Sequence, residues 1–350
     1  MIRSTATSAA LAALVVASAA LTSTSPALAQ EASPASKRPD FTGMWTNESL
    51  TGLTRTKGLP LKVSAEEAIA IAKKVPIAGL TDFVDHPVSP TEAAAPEKGG
   101  EDFGTRGYNA FWVTPGENLA KVKGEYRTSY IVEPADGQLP FINEAEATKT
   151  MKASEERYVT GAYPYAGPEE TELSERCLIG FGGTGGPGMM SVLYNNTYQF
   201  VQTDDYLMIL VEMAHDARII PIFASAELAR HSHKPDVIKP WLGDSVAWWE
   251  GGTLVVESIN IRPEQGVSGS FPLSPSGKVT ERLTQASEKE IFYEFSVDDP
   301  TLYSTTWKAE LSFNATPKRL FEYACHEGNY GLPGMLAGVR LAERKAKASK

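Results

Sequence analysis

The chain has 350 residues and sets 33 Lys and Arg against 43 Asp and Glu, for a net charge of −10. That balance argues against nucleic acid or an anionic membrane surface as partner, because both select for cationic proteins. A hydrophobic share of 42% is ample for one large core, so a globular enzyme or binding protein is expected rather than a disordered chain.

Residues 1–29 read as a secretory signal peptide. Arg3 supplies a short basic start, Ala9 to Leu21 an apolar stretch, and Ala27, Leu28 and Ala29 a small-x-small cleavage site. The apolar run is short and alanine-rich for a membrane span, so no stable membrane insertion is expected. Cleavage before Gln30 would remove one charged side chain, Arg3, and take the net charge from −10 to −11. The expected location is periplasmic or secreted. Residues 30–40 are a flexible linker, 41–340 a single domain with helical and loop elaboration near its start, and 341–350 a basic tail.

Order begins at Phe41, and Gly43 with Trp45 resembles the opening of lipocalin-type barrels. Ser64 to Lys74 is a helix, with Ser64 as cap and Glu67 in the capping-box position. Residues 85–107, rich in Pro, Gly and acids, are a long loop. Strands are expected at Ala110–Val113 and Tyr126–Val132, a turn at Pro134 to Gly137, and a helix from Glu144 to Tyr158. Alternation then predicts strands at Thr197–Gln202, Tyr206–Met213, Arg218–Ile222, Ser245–Trp249 and Thr253–Ile259. It continues through Val279–Thr284, Ile291–Val297, Thr306–Phe313 and Leu320–Cys325. Acid- and glycine-containing turns at Gln202 to Asp205 and Glu250 to Gly252 predict hairpins. The fold class is mainly β: an antiparallel meander forming a closed or nearly closed lipocalin-like barrel, with a few peripheral helices.

The densest chemistry lies in Glu212, His215, Asp216 and Arg218, at the end of the apolar run Tyr206 to Val211. Charges at the mouth of a buried strand must be paired or put to use. A carboxylate beside an imidazole raises its pKa and fixes its tautomer, so His215 is either a general acid or base or a structural bridge to Glu212 or Asp216. Arg218 would pair with Glu212 or hold an anionic or phenolate oxygen. Of Glu281 and Arg282, strand alternation lets only one face inward.

Gly180 to Gly185 matches a dinucleotide-binding pattern on paper, but no apolar strand precedes it and Pro187 follows where a helix should start. It reads instead as a flexible loop, a candidate lid. His231 and His233 have the spacing that puts two imidazoles on one strand face. The downstream glutamate of a cupin site is missing, so metal is not the leading expectation. Two cysteines, Cys177 and Cys325, in an exported chain predict a disulfide. Free buried thiols are the alternative.

Taken together, Arg127, Glu175 to Cys177, Tyr194 to Asn196, Glu212 to Pro221, Trp241 to Ser245, Trp249 to Val256, Glu281 with Arg282, Asp298 to Pro300 and Glu322 to Tyr330 resemble a widespread family of exported bacterial proteins of largely unassigned function. Trp248 stands where an arginine is usual in that pattern. The resemblance implies the compartment and fold more than an activity, with a leaning towards an aromatic, lignin-type substrate.

The functional expectation is an acid–base enzyme without organic cofactor, a lyase or isomerase acting on a small aromatic molecule. His215 would move the proton, Asp216 or Glu212 orient it, and Arg218 stabilise developing negative charge. Substrate contacts are assigned to Tyr198, Trp248, Trp249, Arg282, His326, Asn329 and Tyr330. The alternatives are a non-catalytic binding protein for an apolar or aromatic ligand and, third, a metal-dependent hydrolase or oxygenase using His231 and His233.

Overall fold

The structure, a computed structural model, describes residues 38–75, 114–145, 147, 149, 167–266, 270–327 and 329–349. The expected signal peptide, the loop at 85–107, the strand at Ala110–Val113 and most of the helix at Glu144 to Tyr158 lie outside these residues.

The strands in chain order are β1 (Gly43–Thr46), β2 (Lys62–Val63), β3 (Lys121–Val122), β4 (Glu125–Arg127), β5 (Ile131–Glu133), β6 (Thr197–Gln202), β7 (Tyr206–Val211) and β8 (Ala217–Phe223). They continue with β9 (Asp244–Glu250), β10 (Thr253–Ile259), β11 (Lys278–Ser287), β12 (Glu290–Asp298) and β13 (Trp307–Ala315). Among the described residues they are accompanied by the helices α1 (Ala65–Ala72), α2 (Ala226–His231), α3 (Pro263–Gly266) and α4 (Gly331–Ala348). Among the described residues no helix is long and apolar enough to cross a membrane.

Nine strands close into a barrel in the order β1, β6, β7, β8, β9, β10, β11, β12, β13. The seam is β1 on β13, with Trp45 opposite Ala315. Closure removes the exposed edges that an open sheet of this size would carry. β5 pairs with the opposite stretch of the β13 edge, at Lys308 and Ala309. The β6–β7 and β9–β10 hairpins form where the turn residues predict them. One junction departs from the meander: β8 and β9 are parallel, paired only at Ile222 with Ala247 and Phe223 with Trp248. A parallel pair needs a crossover connection. Residues 224–243 supply it, with α2 folded over the outside on Val246, Trp248 and Val255.

Leu320–Cys325 is not a strand. Phe321 is 62% exposed, so the segment has no buried face to hold it in a sheet. Helix α1 has the expected capping box, with Ser64 and Glu67 satisfying each other's backbone N–H. It packs Ala68 and Ala72 on Leu50 and Leu119, beside the small sheet β2–β4–β3.

Inward residues alternate along every barrel strand, and they are large. Tyr198, Phe200, Tyr293, Phe295, Trp307 and Phe313 are fully buried. Their rings meet edge to face, with Tyr198 on Phe313 at 5.0 Å and Phe295 on Trp307 at 5.7 Å between centroids. Each such side chain contributes roughly 1.5–3 kcal/mol by burial. The interior is therefore a packed core rather than a ligand chamber. One end is stoppered by Phe41, which stacks on Trp249 at 5.9 Å and receives a hydrogen bond from Trp45 Nε1 through its carbonyl. The other end, with the turns after β7 and before β9, carries the polar groups described next.

Candidate functional site

The turn after β7 decides which side chains of the Glu212 to Arg218 cluster meet. Residues Met213–His215 form a tight 3-10 turn in which Ala214 and His215 take left-handed φ values of 57° and 52°. That reversal resets the alternation. Asp216 and Arg218 face the barrel, and His215 and Ala217 face solvent. Among the described residues His215 is paired with backbone and not with an acid. Its Nε2 accepts from the backbone N–H of Tyr323 at 3.1 Å and lies 3.2 Å from the carbonyl of Phe321. Glu212 is buried and accepts from Asn195 Nδ2 at 2.9 Å.

Arg218 pairs with Glu281, not with Glu212. Its Nη1 donates to Glu281 Oε1 at 2.9 Å and its Nη2 to Glu281 Oε2, a bidentate pair whose side chains are 2% and 1% exposed. Nη2 also reaches Ser245 Oγ at 3.1 Å and Ser258 Oγ at 3.2 Å. The Tyr293 hydroxyl donates to Glu281 Oε1 and accepts from Met189 N–H at 3.0 Å. Burial opposes ionisation of both partners, but their mutual attraction outweighs it. The Glu281 carboxyl is held below, and the Arg218 guanidinium above, its ordinary range.

The glycine-rich loop lies directly on this pair. It is packed down as a stopper: Gly188 N–H donates to Glu281 Oε1 at 3.3 Å, and Met189 and Met190 are buried in the core behind it. Two glycines are required by close approach. At Gly186 (φ +79°) a Cβ would sit 2.6 Å from Arg218 Nη1, and at Gly188 (φ +76°) one would sit 2.7 Å from the Phe271 ring. The same loop caps Asp216, whose Oδ2 accepts from Gly180 N–H at 2.8 Å. Burial pushes the Asp216 carboxyl up to about 6, against the opposing pull of that one backbone hydrogen bond. Gly180 and Gly185, which pack on the carboxylate, line a crevice of about 30 Å³ with Gly186, Leu242, Gln265 and Phe271. This is space on the scale of a single water. The Gln265 side chain crosses it, accepting from Leu242 N–H at 2.7 Å and donating to the carbonyl of Gly186 at 3.3 Å.

Of the residues assigned to substrate, Tyr198 is the one buried in the core at this end. It lies inside the barrel, donates to the carbonyl of Thr184 at 3.1 Å and accepts from Asn47 Nδ2 at 3.3 Å. Trp249 faces inward at the opposite end, against Phe41. Trp248 faces outward beneath α2, with the Arg230 guanidinium 4.9 Å over its ring and its Nε1 donating to Glu250. Arg282 is also outward and pairs with Glu250 at 2.9 Å. Its neighbour Glu281 takes the inward position because it shares a face with Val279 and Leu283. His326 and Tyr330 are exposed, and Asn329 Nδ2 donates to the carbonyl of Glu175 at 3.0 Å. That segment is anchored by the disulfide between Cys177 and Cys325, whose Cα atoms are 5.7 Å apart.

The two histidines of the metal alternative do not share a strand face, because His231 closes helix α2 and His233 lies in the following loop. His231 Nδ1 contacts the carbonyl of Glu227. His233 Nδ1 is 2.9 Å from Asp244 Oδ2, and its Nε2 is 3.7 Å from Glu257 Oε1. Burial disfavours the charged imidazole, but Glu257 and Asp244 together outweigh it and raise the His233 pKa. Among the described residues no three His, Cys, Asp or Glu side chains gather as a metal-ligand set.

Sequence reasoning missed Tyr293, Ser245, Ser258 and Gln265 as members of the site, and left Glu281 undecided. Alternation carried a signal for Glu281 alone. The serines and Gln265 look like any surface polar residue until the register is known. No protein-family model, no curated protein and no solved structure matches this chain.

Proposed function

We propose that the protein is an exported acid–base enzyme of lyase or isomerase type, acting on a small aromatic molecule at the glycine-loop end of the barrel. The proton-transfer role expected of His215 passes to Asp216. The observation that carries this reading is the Asp216 carboxyl, buried beneath Gly180 with a pKa near 6. Such a group is mostly base at neutral pH but keeps an appreciable acid fraction, which suits it to take a proton and return it. Strongly shifted carboxyls concentrate at functional sites. Asp216 would remove a proton beside an electron-withdrawing group. It would then return it to a different carbon in an isomerase, or pass it to the departing group in a lyase. Gln265 lines the crevice; once the loop that its amide now bonds through Gly186 has moved, it would offer an N–H to a substrate oxygen, and the Arg218–Glu281 pair would fix the floor. A crevice of about 30 Å³ admits no aromatic ring, so the glycine loop must lift for substrate to enter.

Support for export comes from the apolar leader and from the disulfide, which persists in oxidising compartments. The test is turnover of a panel of aromatic monomers and lignin-type dimers by purified protein. Asp216→Asn should lower turnover by roughly 100-fold or more, the usual scale for a lost general acid or base. His215→Ala should leave it within a few-fold. Ligand binding with no turnover by the wild type would replace the enzyme with a binding protein, and loss of turnover in His215→Ala alone would return the role to the histidine.

A further inference from the structure

We propose that the outer lip of the glycine-loop crevice is a carboxylate-binding site, formed by Arg176 and Arg262 beside Trp241, and that the substrate is an aromatic carboxylate. The proposal rests on the reading of that crevice as a substrate site. Three of its lining residues, Ile179, Leu242 and Ile261, belong to the segments that carry these side chains. Leu173 and Ile179 pack on Leu242 and Trp241, which holds Arg176, between them in the chain, beside that loop. Trp241 precedes Leu242, and Arg262 follows Ile261. The Arg262 guanidinium lies 4.3 Å over the Trp241 ring, and its Nη1 donates to the carbonyl of Lys239 at 3.3 Å. Both arginines lie near Glu264, whose carboxyl is held below its ordinary range first by its own backbone N–H and then by Arg262 and Arg176.

These two guanidiniums are under-used. The Nε–H of each is buried without an acceptor. Buried donors are nearly always satisfied, so an orphan on each of two neighbouring cations calls for an explanation. Among the described residues no carboxylate forms a salt bridge with Arg176. Glu264 is a loose counter-ion for Arg262: its Oε2 stands 3.6 Å from Nε, beyond hydrogen-bond reach, and its side chain is 50% exposed. Two positive charges thus face one loosely held carboxylate, on a chain of net charge −10. Arginines that only held the loops together would close their bonds within the protein. A second carboxylate closes them here, because each guanidinium presents a planar fork that matches it. Behind the lip the crevice is walled by Ile179, Leu242, Ile261 and Phe271, and its lining carries no charged side chain. That wall suits an aromatic ring once the glycine loop lifts, and it offers nothing to a small oxyanion. The carboxylate is a handle held at the lip. The reacting carbon lies deeper, towards Gly180 and Gly185, which pack on Asp216.

Isothermal titration calorimetry of the purified chain with cinnamate, its neutral amide cinnamamide and inorganic phosphate tests the proposal. The wild type should bind cinnamate about ten-fold more tightly than cinnamamide, a difference of about 1.4 kcal/mol, and phosphate more weakly than cinnamate. Arg176→Gln and Arg262→Gln should each abolish the preference for the acid, with an unchanged circular dichroism spectrum. Arg176→Gln carries the test if Arg262→Gln, which loses the Trp241 contact, does not fold. Arg176→Lys, which keeps the charge and loses the fork, should recover part of the preference. No binding of cinnamate, equal affinity for acid and amide, phosphate binding as tight as that of cinnamate, or a preference that survives both glutamine substitutions overturns the proposal. Arginine-dependent binding of cinnamate without turnover of any aromatic compound would uphold this site and remove the acid–base reading. Turnover of aromatic acids indifferent to both arginines would keep that reading and overturn the site.

Discussion

Replacing Glu281 with glutamine isolates the buried ion pair at the centre of the site. The variant leaves the Arg218 guanidinium, whose side chain is 2% exposed, without a counter-charge. Removing one partner of a buried pair costs about 3–5 kcal/mol, because the surviving charge stays desolvated. The glutamine amide can still accept from one Arg218 nitrogen or from Gly188 N–H, which places the expected loss at the lower end, about 3 kcal/mol. The double variant Arg218→Met with Glu281→Leu should be less damaged than Glu281→Gln alone, since no unpaired charge remains. Adding the single variants Arg218→Met and Glu281→Leu completes the cycle that measures the coupling. The assay is urea unfolding at pH 7 with the disulfide intact, followed by tryptophan fluorescence. A loss under about 1 kcal/mol in Glu281→Gln, of the size seen for exposed pairs, would refute the claim that the pair is formed and dry. The pH dependence has a defined sign. The folded pKa of Glu281 is depressed, so the stabilisation is present above its unfolded value and is lost as pH falls through the folded one.

His233 should give the opposite pH dependence. Its folded pKa is raised above 6.5 by Glu257 and Asp244, so its contribution is complete below 6.5 and is lost as pH rises through the folded value; thermal melts of wild type and His233→Gln from pH 6 to 9 should converge at the alkaline end. Replacing Cys177 and Cys325 with serine opens a cross-link spanning 148 residues; denaturant titration should show a loss of up to about 5 kcal/mol by the chain-entropy relation, and intact-mass measurement should show the native wild type two hydrogens lighter than its reduced form. Gly186→Ala forces a Cβ against Arg218 from a left-handed backbone and should cost about 1–3 kcal/mol in the same titration, whereas Gly251→Ala, at the exposed β9–β10 turn with open space around it, should cost less.

The parts of the fold legible in the sequence are those set by neighbours along the chain. β6 and β10 begin and end where alternation places them, and the Ser64 cap forms because both its partners lie within four residues. The cysteine pair was legible from a count of two in a chain expected to be exported. The parallel β8–β9 junction was not, because it depends on α2 finding Trp248 and Val246, a contact with no local signature. Trp248 was assigned to the site although it faces the opposite way from Trp249, a difference of one residue in register that residue type does not reveal. His215 was misplaced for a related reason. Two consecutive left-handed residues, Ala214 and His215, break the alternation at the one point where the argument depended on it. Asp216, ranked second to the histidine, owes its character to burial under Gly180, thirty-six positions away.

Titration of the Asp216 carboxyl tests the central claim most directly. Carbon-13 NMR of aspartate-labelled protein should show one carboxyl with a midpoint near 6, a resonance absent from Asp216→Asn. A spectrum in which every aspartate titrates in the ordinary range near 3.9, or in which the high-midpoint signal persists in the variant, would contradict the assignment of Asp216 as the group that moves the proton.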